Sequence, residues 1–185
     1  RGLDQIGGCI TEISTETSRV FIDFGQNLPG NGEPTTPEED EALVTRIFAQ
    51  NKKQHEAVFY THGHEDHVGL FEYIPEDVPQ YMSEGTKGLL EIKYDVLCEG
   101  ADIKVNELLE NECDSQEYSD AMNNLIYADN KCKLLNKIEI WQRTSPRKTP
   151  DSITIGDIKV TPFFNCHSIY DSHMFLIEAD GKRIW

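Results

Sequence analysis

Short apolar runs alternate with polar, amphipathic stretches along the chain, which is the pattern of a protein that mixes strands and helices. Residues 8–13 and 19–24 alternate apolar and polar side chains around a polar turn and predict a β-hairpin. Residues 57–60 form an unbroken apolar run, typical of a strand that is buried on both faces. Further strands are predicted at 78–82, 137–143 and 152–164, and a strand, an Asp-Gly turn and another strand at 174–185.

Three segments predict helices. Thr36, Pro37 and Glu39 form a helix start, with Thr36 as the N-cap, Pro37 at the first helical position and Glu39 closing a capping box. The apolar stripe predicted for this helix consists of Ala42, Leu43, Ile47 and Phe48. The other two helices are predicted at 86–97, with Ser83 as the cap, and at 115–135. Strands and helices in this order predict an α/β fold.

Composition narrows the class of protein. The chain has 185 residues, and 17 basic against 33 acidic side chains give a net charge of −16, which opposes a broad basic surface for nucleic acid. No apolar run is long enough to span a bilayer, and no signal peptide opens the chain. The cysteines form no Cys-x-x-Cys pair and predict free thiols in a reducing, cytoplasmic compartment; they are Cys9, Cys98, Cys113, Cys132 and Cys166.

Two charged segments leave alternatives open. Residues 99–120 hold eight acidic side chains and one basic side chain. This run is either a solvated helix face or a surface for a partner that also repels unsuitable polyanions. Arg143, Arg147 and Lys148 form a small basic patch that either contacts phosphates or belongs to a solvated loop.

One motif carries metal chemistry. His62, His64, Asp66 and His67 place four potential metal ligands within six residues, directly after the buried strand. Imidazole nitrogen and carboxylate oxygen are good zinc ligands, and a catalytic zinc needs about three of them and an open position. The two-residue spacing around Gly63 suits a curved loop and not a helix. The competing interpretation is a loop of incidental polar residues.

These residues, with three further stretches, resemble a known family. Residues 61–69, Thr-His-Gly-His-Glu-Asp-His-Val-Gly, resemble the signature loop of metallo-β-lactamase-fold hydrolases. Residues 7–13 resemble the opening strand of that fold, residues 21–25 its first motif, and residues 166–171 the later motif with another metal-binding histidine. The Gly-Gly opening, Glu65 and the His-Ser-Ile-x-Asp stretch are most similar to the ribonuclease J-like, β-CASP, RNA-processing branch.

The resemblance implies an αββα sandwich with mixed sheets and flanking helices, and a dinuclear zinc site, with manganese as the alternative metal. The implied ligands are His62, His64 and His167 for the first ion and Asp66 and His67 for the second, while Asp23 braces the ligand loop. The implied reaction is hydrolysis of an RNA phosphodiester by a metal-activated hydroxide, with Asp66 orienting the nucleophile. RNA or another phosphoester is the expected partner, no membrane is expected, and homo-oligomerisation stays open.

Other residues near these motifs have less certain roles. His55 and His173 match no ligand of the family and are interpreted as ordinary histidines. Ser168 and Asp171 either orient His167 and contact substrate, or serve as turn and capping residues.

The chain also departs from the family. The spacing between the two histidine motifs is long, and predicts an acidic, helical insertion at about 91–137, away from the metal loop. The bridging aspartate and the last histidine of the family would lie beyond Trp185. We therefore expect the chain to be the N-terminal part of the domain, inactive alone. Two alternatives remain: a hydrolase of a small thioester, lactone or phosphoester, and a non-catalytic binding module.

Overall fold

The computed structural model describes residues 7–28, 35–110, 114–142 and 149–185. The chain divides into two compact units. One contains the chain up to Thr86 and the chain from Ile138 onward, and the other is Lys87–Lys137. Among the described residues, no helix combines the length and the apolarity that crossing a membrane requires. The architecture is α/β, with two sheets and flanking helices.

The first sheet is mixed and has the order β1-β2-β3-β4-β5. Strands β1 and β2 are antiparallel, which confirms the predicted hairpin, whereas β2, β3, β4 and β5 run parallel. The apolar run predicted as a strand lies in and just after β3, and its four side chains are fully buried. The bounds are β1 Thr11–Ser14, β2 Ser18–Ile22, β3 His55–Phe59, β4 Gln80–Met82 and β5 Glu139–Ile140.

The second sheet is antiparallel, with the order β6-β7-β8-β9. The strand pattern predicted at 152–164 is confirmed, and a turn at Gly156 divides this stretch into two paired strands. The Asp-Gly turn is confirmed, and Asp180 and Gly181 have φ values of +50° and +70° as such hairpin turns require. The bounds are β6 Ile153–Ile155, β7 Ile158–Phe164, β8 His173–Ala179 and β9 Lys182–Ile184.

The core of this unit lies between the two sheets. In β7, Ile158 and Val160 are buried while Lys159 is exposed, which is the alternation of a strand with one face on a core. Burying each large apolar side chain of this kind contributes about 1.5–3 kcal/mol. The buried cluster comprises Val20, Ala57, Phe59, Trp141, Ile155, Ile158, Val160, Phe175 and Ile177.

The other face of the first sheet is covered by α1 (Pro37–Ala49). The predicted cap at Thr36 and its capping box are both present. The predicted stripe is partly wrong, because Ala42 is exposed and Val44 is buried. Val44 and Phe48 are four residues apart and therefore share one helix face, where the Phe48 ring packs against aromatic rings from the end of β2. A short helix, α2 (Glu65–Val68), and a 3-10 turn (Phe71–Tyr73) follow β3.

Two long helices account for the second unit. The predicted helix at 115–135 is confirmed as α4 (Ser115–Leu135), and Ser83 caps α3 (Glu84–Glu110) as predicted. The predicted end at residue 97 is wrong, because the acidic residues that follow are compatible with helix and Gly100 costs only about 1 kcal/mol. Between α3 and α4, the unit has its own small core of Val105, Leu108 and Ala121. Whether the stretch 91–137 is an insertion stays a prediction, and its proposed start lies within α3.

A hydrogen-bonded carboxylate joins the turns of the two sheets. The Thr15 hydroxyl donates to Asp157 Oδ1 at 2.7 Å, and the Asp157 backbone N–H donates to Ser18 Oγ at 3.2 Å. Hydrogen bonds from Ser18 and Thr15 hold the pKa of Asp157 below its usual value of 3.8. A carboxyl group whose pKa is lowered by folding stabilises the native state above its unfolded pKa, and this contribution is lost as the pH falls.

We predict that Asp157→Asn lowers stability at pH 6 and that the difference from the wild type shrinks as the pH falls through about 3.8. Urea unfolding of both proteins at pH 6, 4 and 3 checks this expectation. A difference that is constant with pH, or that grows in acid, would contradict it.

Candidate metal centre

Three histidine side chains from distant parts of the chain converge. The ring nitrogens of His62, His64 and His167 lie within 4.8 Å of one another. His62 Nε2 is 3.0 Å from His64 Nδ1, and the His167 ring is centred 4.6 Å from the His62 ring. Because about 100 residues separate His167 from the other two, only the tertiary fold creates this cluster.

The loop that carries His62 and His64 is fixed by backbone hydrogen bonds. Cys9 N–H donates to the Asp66 carbonyl at 3.1 Å, and Gln26 N–H donates to the Glu65 carbonyl at 2.9 Å. Phe24 N–H donates to the His67 carbonyl at 2.8 Å. The segments before β1 and after β2 therefore form the support on which the ligand loop and α2 lie.

Asp23 organises the loop through its side chain. The backbone of this residue has φ +63°, a conformation that aspartate adopts more readily than most residues. Its carboxylate is almost completely buried and accepts hydrogen bonds from Thr61 N–H at 2.8 Å and the Thr61 hydroxyl at 2.9 Å. It also pairs with His67 Nδ1 at 2.7 Å. We infer that His67 donates its Nδ1 proton to Asp23, so that its Nε2 lone pair is free for another partner.

The electrostatic environment suits metal binding by His62. Burial, followed by the nearby rings of His67, His64 and His167, lowers the pKa of His62 to about 3. The imidazole is therefore neutral at physiological pH, and only the neutral form can donate a lone pair to a metal.

The pKa values of Asp23 and His67 are both raised, because the two side chains are buried against each other. Burial raises the pKa of Asp23, against the hydrogen bonds from His67 and Thr61. Burial alone would lower the pKa of His67, but the hydrogen bond to Asp23 and the charges of Asp23 and Asp66 together outweigh it and raise this pKa. The contact with Asp23 therefore stabilises a proton on the His67 ring.

The two residues expected to hold a second ion lie beside the cluster. The His67 ring is centred 4.0 Å from the His62 ring, and His67 Nε2 is 3.5 Å from Asp66 Oδ2. Within the described ranges, however, the mutually close ligand atoms come from His62, His64 and His167 alone. The structure thus brings three of the five predicted ligands together and places Asp66 and His67 as an adjacent pair.

The other described residues that the sequence singled out do not belong to the histidine cluster. Asp171 accepts a hydrogen bond from Gly85 N–H at 2.9 Å at the start of α3, which matches the capping alternative. Cys166 is exposed and lies outside the histidine cluster. His55 lies at the exposed start of β3. The basic patch of Arg143, Arg147 and Lys148 and the cysteine Cys113 lie outside the described residues.

Sequence reasoning missed two supporting residues. The Thr61 hydroxyl lies 2.8 Å from His62 Nδ1 and also contacts Asp23, so it connects a ligand to the brace. The buried His173 donates its backbone N–H to the Thr61 carbonyl at 2.9 Å and packs on the Trp141 ring. A threonine between a buried strand and the first histidine was the available signal for Thr61, whereas the position of His173 depends on how the sheets pack.

We predict that Asp23→Asn weakens metal binding about 10- to 100-fold, because outer partners of ligands usually contribute that much. Asparagine keeps the size of the side chain and tolerates positive φ, so the change removes charge and one acceptor without adding backbone strain. Competition with a chromogenic chelator measures the zinc affinity, and circular dichroism checks the fold. Wild-type affinity in a folded Asp23→Asn protein would remove Asp23 from the account.

No protein-family model matches the chain. The chain is 31% identical to ribonuclease J of Helicobacter pylori over 98 residues, which are 51% of this chain and 14% of that protein. It is 37% identical to the transcription termination factor FttA of Methanosarcina mazei over 93 residues, 48% of this chain and 14% of that protein. A crystal structure of a protein of unknown function from Enterococcus faecalis V583 also resembles the chain, with a TM-score of 0.60 and 21% sequence identity. The match covers 99% of this chain and 40% of the chain of that protein.

These comparisons support a coarse conclusion. The structural match shows a shared fold only, because the sequence identity is low. The sequence matches cover about half of this chain, and the chain spans about one seventh of the length of both curated relatives. The chain therefore has partial similarity to a ribonuclease and to a transcription termination factor.

Proposed function

We propose that the full-length protein is a metal-dependent hydrolase of the metallo-β-lactamase fold that cleaves phosphodiester bonds in RNA. The observation that carries this proposal is the convergence of His62, His64 and His167 within 4.8 Å. A cluster of three imidazoles is the donor set of a catalytic zinc site, in which a fourth position stays open for water or substrate.

The donor chemistry fits the metal. His62 Nδ1 is occupied by the Thr61 hydroxyl, so its Nε2 atom faces His64, as a ligand atom would. We assign one zinc ion to His62, His64 and His167, and a second to Asp66 and His67 with ligands from elsewhere in the full-length protein. An ion held by these residues would lower the pKa of a coordinated water and would stabilise negative charge on substrate oxygens.

Three residues beside the histidine cluster position the ligand rings and the attacking water. Thr61 and Asp23 fix the orientation of the His62 and His67 rings, which keeps the ligand geometry rigid. The Asp66 carboxylate is partly buried, with 17% of its side chain exposed, and lies 3.5 Å from His67 Nε2. We assign to Asp66 the orientation of the attacking water and the acceptance of its proton.

The choice of RNA rests on the motif resemblance and on the partial match to ribonuclease J. The charge of −16 argues that this chain does not supply a broad electrostatic surface for the polymer. RNA would therefore be held by local contacts near the metal and by parts of the full-length protein beyond the chain.

A second candidate function is supported by the cavity beside the cluster. This cavity of about 420 Å³ is bordered by His62 and His167 and by apolar side chains, including Ile13, Phe175 and Trp185. Its size and apolar wall suit a small ester, as in the thioester or lactone hydrolases of the expected fold.

A substrate panel distinguishes the two functions. The purified full-length protein is stripped of metal, reloaded with zinc or manganese, and given single-stranded RNA, a thioester, a lactone and a phosphomonoester. We expect metal-dependent RNA cleavage that His64→Ala abolishes. Turnover of a small ester without RNA cleavage would favour the second candidate, and absence of all metal-dependent hydrolysis would contradict both.

A further inference from the structure

The loop that carries His167 also presents an aromatic ring. This loop joins β7 to β8, and Asn165 N–H closes it by donating to the Ser172 carbonyl at 2.9 Å. Tyr170 lies in the loop three residues after His167, and 72% of its surface is exposed. Neither the metal cluster nor the core uses this side chain.

The spacing places Tyr170 within reach of a bound nucleic acid. Three residues of extended chain span at most about 11 Å, so the Cα atoms of His167 and Tyr170 lie no farther apart than that. A stacked strand rises about 3.4 Å per nucleotide, so this distance corresponds to about three nucleotides. The bases that flank a phosphodiester at the histidine cluster would therefore lie within the same range as the Tyr170 backbone.

The ring is held in place although it is exposed. A Cβ atom on Gly85 would lie 2.6 Å from Tyr170 Cε1 and 2.5 Å from Asp171 Cβ, so only glycine leaves room for this packing. The Asp171 carboxylate accepts from Gly85 N–H at 2.9 Å and locks the loop onto the start of α3. A ring supported in this way is a preorganised surface, which lowers the entropic cost of binding.

The surroundings favour a base over a phosphate. Tyr170 borders a cavity of about 650 Å³, and the described residues around it include the carboxylates of Glu84 and Asp171 and the Trp141 side chain. Carboxylates repel phosphate but accept hydrogen bonds from the N–H groups on the edges of bases.

We propose that Tyr170 is a stacking surface for an unpaired base of single-stranded RNA, within about three nucleotides of the bond at the histidine cluster. The inference rests on the proposed function, because the metal cluster defines where the phosphodiester lies. Stacking of a base on an aromatic ring tolerates any sequence and contributes about 1–3 kcal/mol per base. A duplex, whose bases are already stacked, cannot use this surface.

A binding cycle tests the proposal independently of catalysis. The full-length, zinc-loaded protein is titrated into a fluorescein-labelled single-stranded RNA with a hydrolysis-resistant 2′-O-methyl phosphorothioate backbone. One abasic nucleotide is moved through the RNA position by position, and binding is compared for the wild type, Tyr170→Ala and Tyr170→Phe. Zinc content is measured for each protein.

We expect two changes to weaken binding by about tenfold to hundredfold each. One is an abasic nucleotide at a single position of the RNA, and the other is Tyr170→Ala. Combining the two should cause no further loss, and Tyr170→Phe should retain binding because the ring is kept. Zinc content should be equal in all three proteins.

Three results would overturn the proposal. Tyr170→Ala could bind the RNA as tightly as the wild type does, or the wild type could fail to bind. The third is a loss of affinity in Tyr170→Ala that adds to the loss caused by an abasic nucleotide at every position. Failure of the proposed function would give a different result, namely no metal-dependent hydrolysis in the substrate panel. The binding measurements do not depend on hydrolysis, so the two failures can be told apart.

Discussion

Replacing His167 by alanine is expected to lower the zinc affinity of the protein about 100- to 1,000-fold. Structural zinc sites bind with roughly 10–16 kcal/mol through four ligands, so one ligand accounts for about 3–4 kcal/mol. His167 is one of three converging ligands, and the remaining pair, His62 and His64, cannot complete a tetrahedral site. Competition with a chromogenic chelator measures the affinity, and elemental analysis gives the stoichiometry.

The neighbouring residue provides a matched control. Cys166 lies in the same loop and is exposed, but it does not belong to the cluster. Cys166→Ser should therefore bind zinc as the wild type does. Equal losses in the two variants would show that the loop and not the imidazole matters, and unchanged binding by His167→Ala would remove this histidine from the site.

Replacing Gly25 by alanine is expected to destabilise the fold by about 3–5 kcal/mol. A Cβ atom there would lie 1.6 Å from the Asp66 carbonyl oxygen and 2.7 Å from His67 N, so the ligand loop must move. The movement would break the backbone hydrogen bonds from Cys9 and Gln26, at about 0.5–1.5 kcal/mol each, in addition to the 1–3 kcal/mol that overpacking usually costs. Urea unfolding measures the loss, and zinc affinity should fall with it.

Gly100→Ala is the matched control for Gly25→Ala, because the same substitution is not expected to destabilise the fold there. Gly100 lies within α3, and among the described residues no atom outside the adjoining helix backbone lies within 4 Å of a Cβ added there. Gly100→Ala should leave stability unchanged or raise it by about 0.5–1 kcal/mol, since alanine is the better helix former. A Gly25→Ala protein as stable as Gly100→Ala would contradict the tight contact between Gly25 and the ligand loop.

Local features were predictable from the sequence because they depend on neighbours along the chain. The capping box at Thr36 and the Asp-Gly turn before β9 each involve residues within a few positions of one another. The ligand motif from His62 to His67 is equally local, and its residue types indicate a metal directly.

Features that depend on tertiary packing were less accessible. The brace from Thr61 to Asp23 requires β2 and β3 to pair in parallel, and Asp23 to adopt positive φ. No spacing in the sequence gives the convergence of His167 with His62, and the resemblance to a known family was needed to expect it. The end of α3 was missed because an acidic stretch can be either solvated helix or loop.

The most direct test of the central claim is the location of the metal itself. Crystals of the zinc-loaded protein, measured on both sides of the zinc absorption edge, give an anomalous difference map that identifies zinc without reference to the protein coordinates. We predict a peak bound by ring nitrogens of His62, His64 and His167 at about 2.0–2.1 Å. An ordered cluster without a peak, or a zinc ion bound only by other residues, would contradict the assignment of this site.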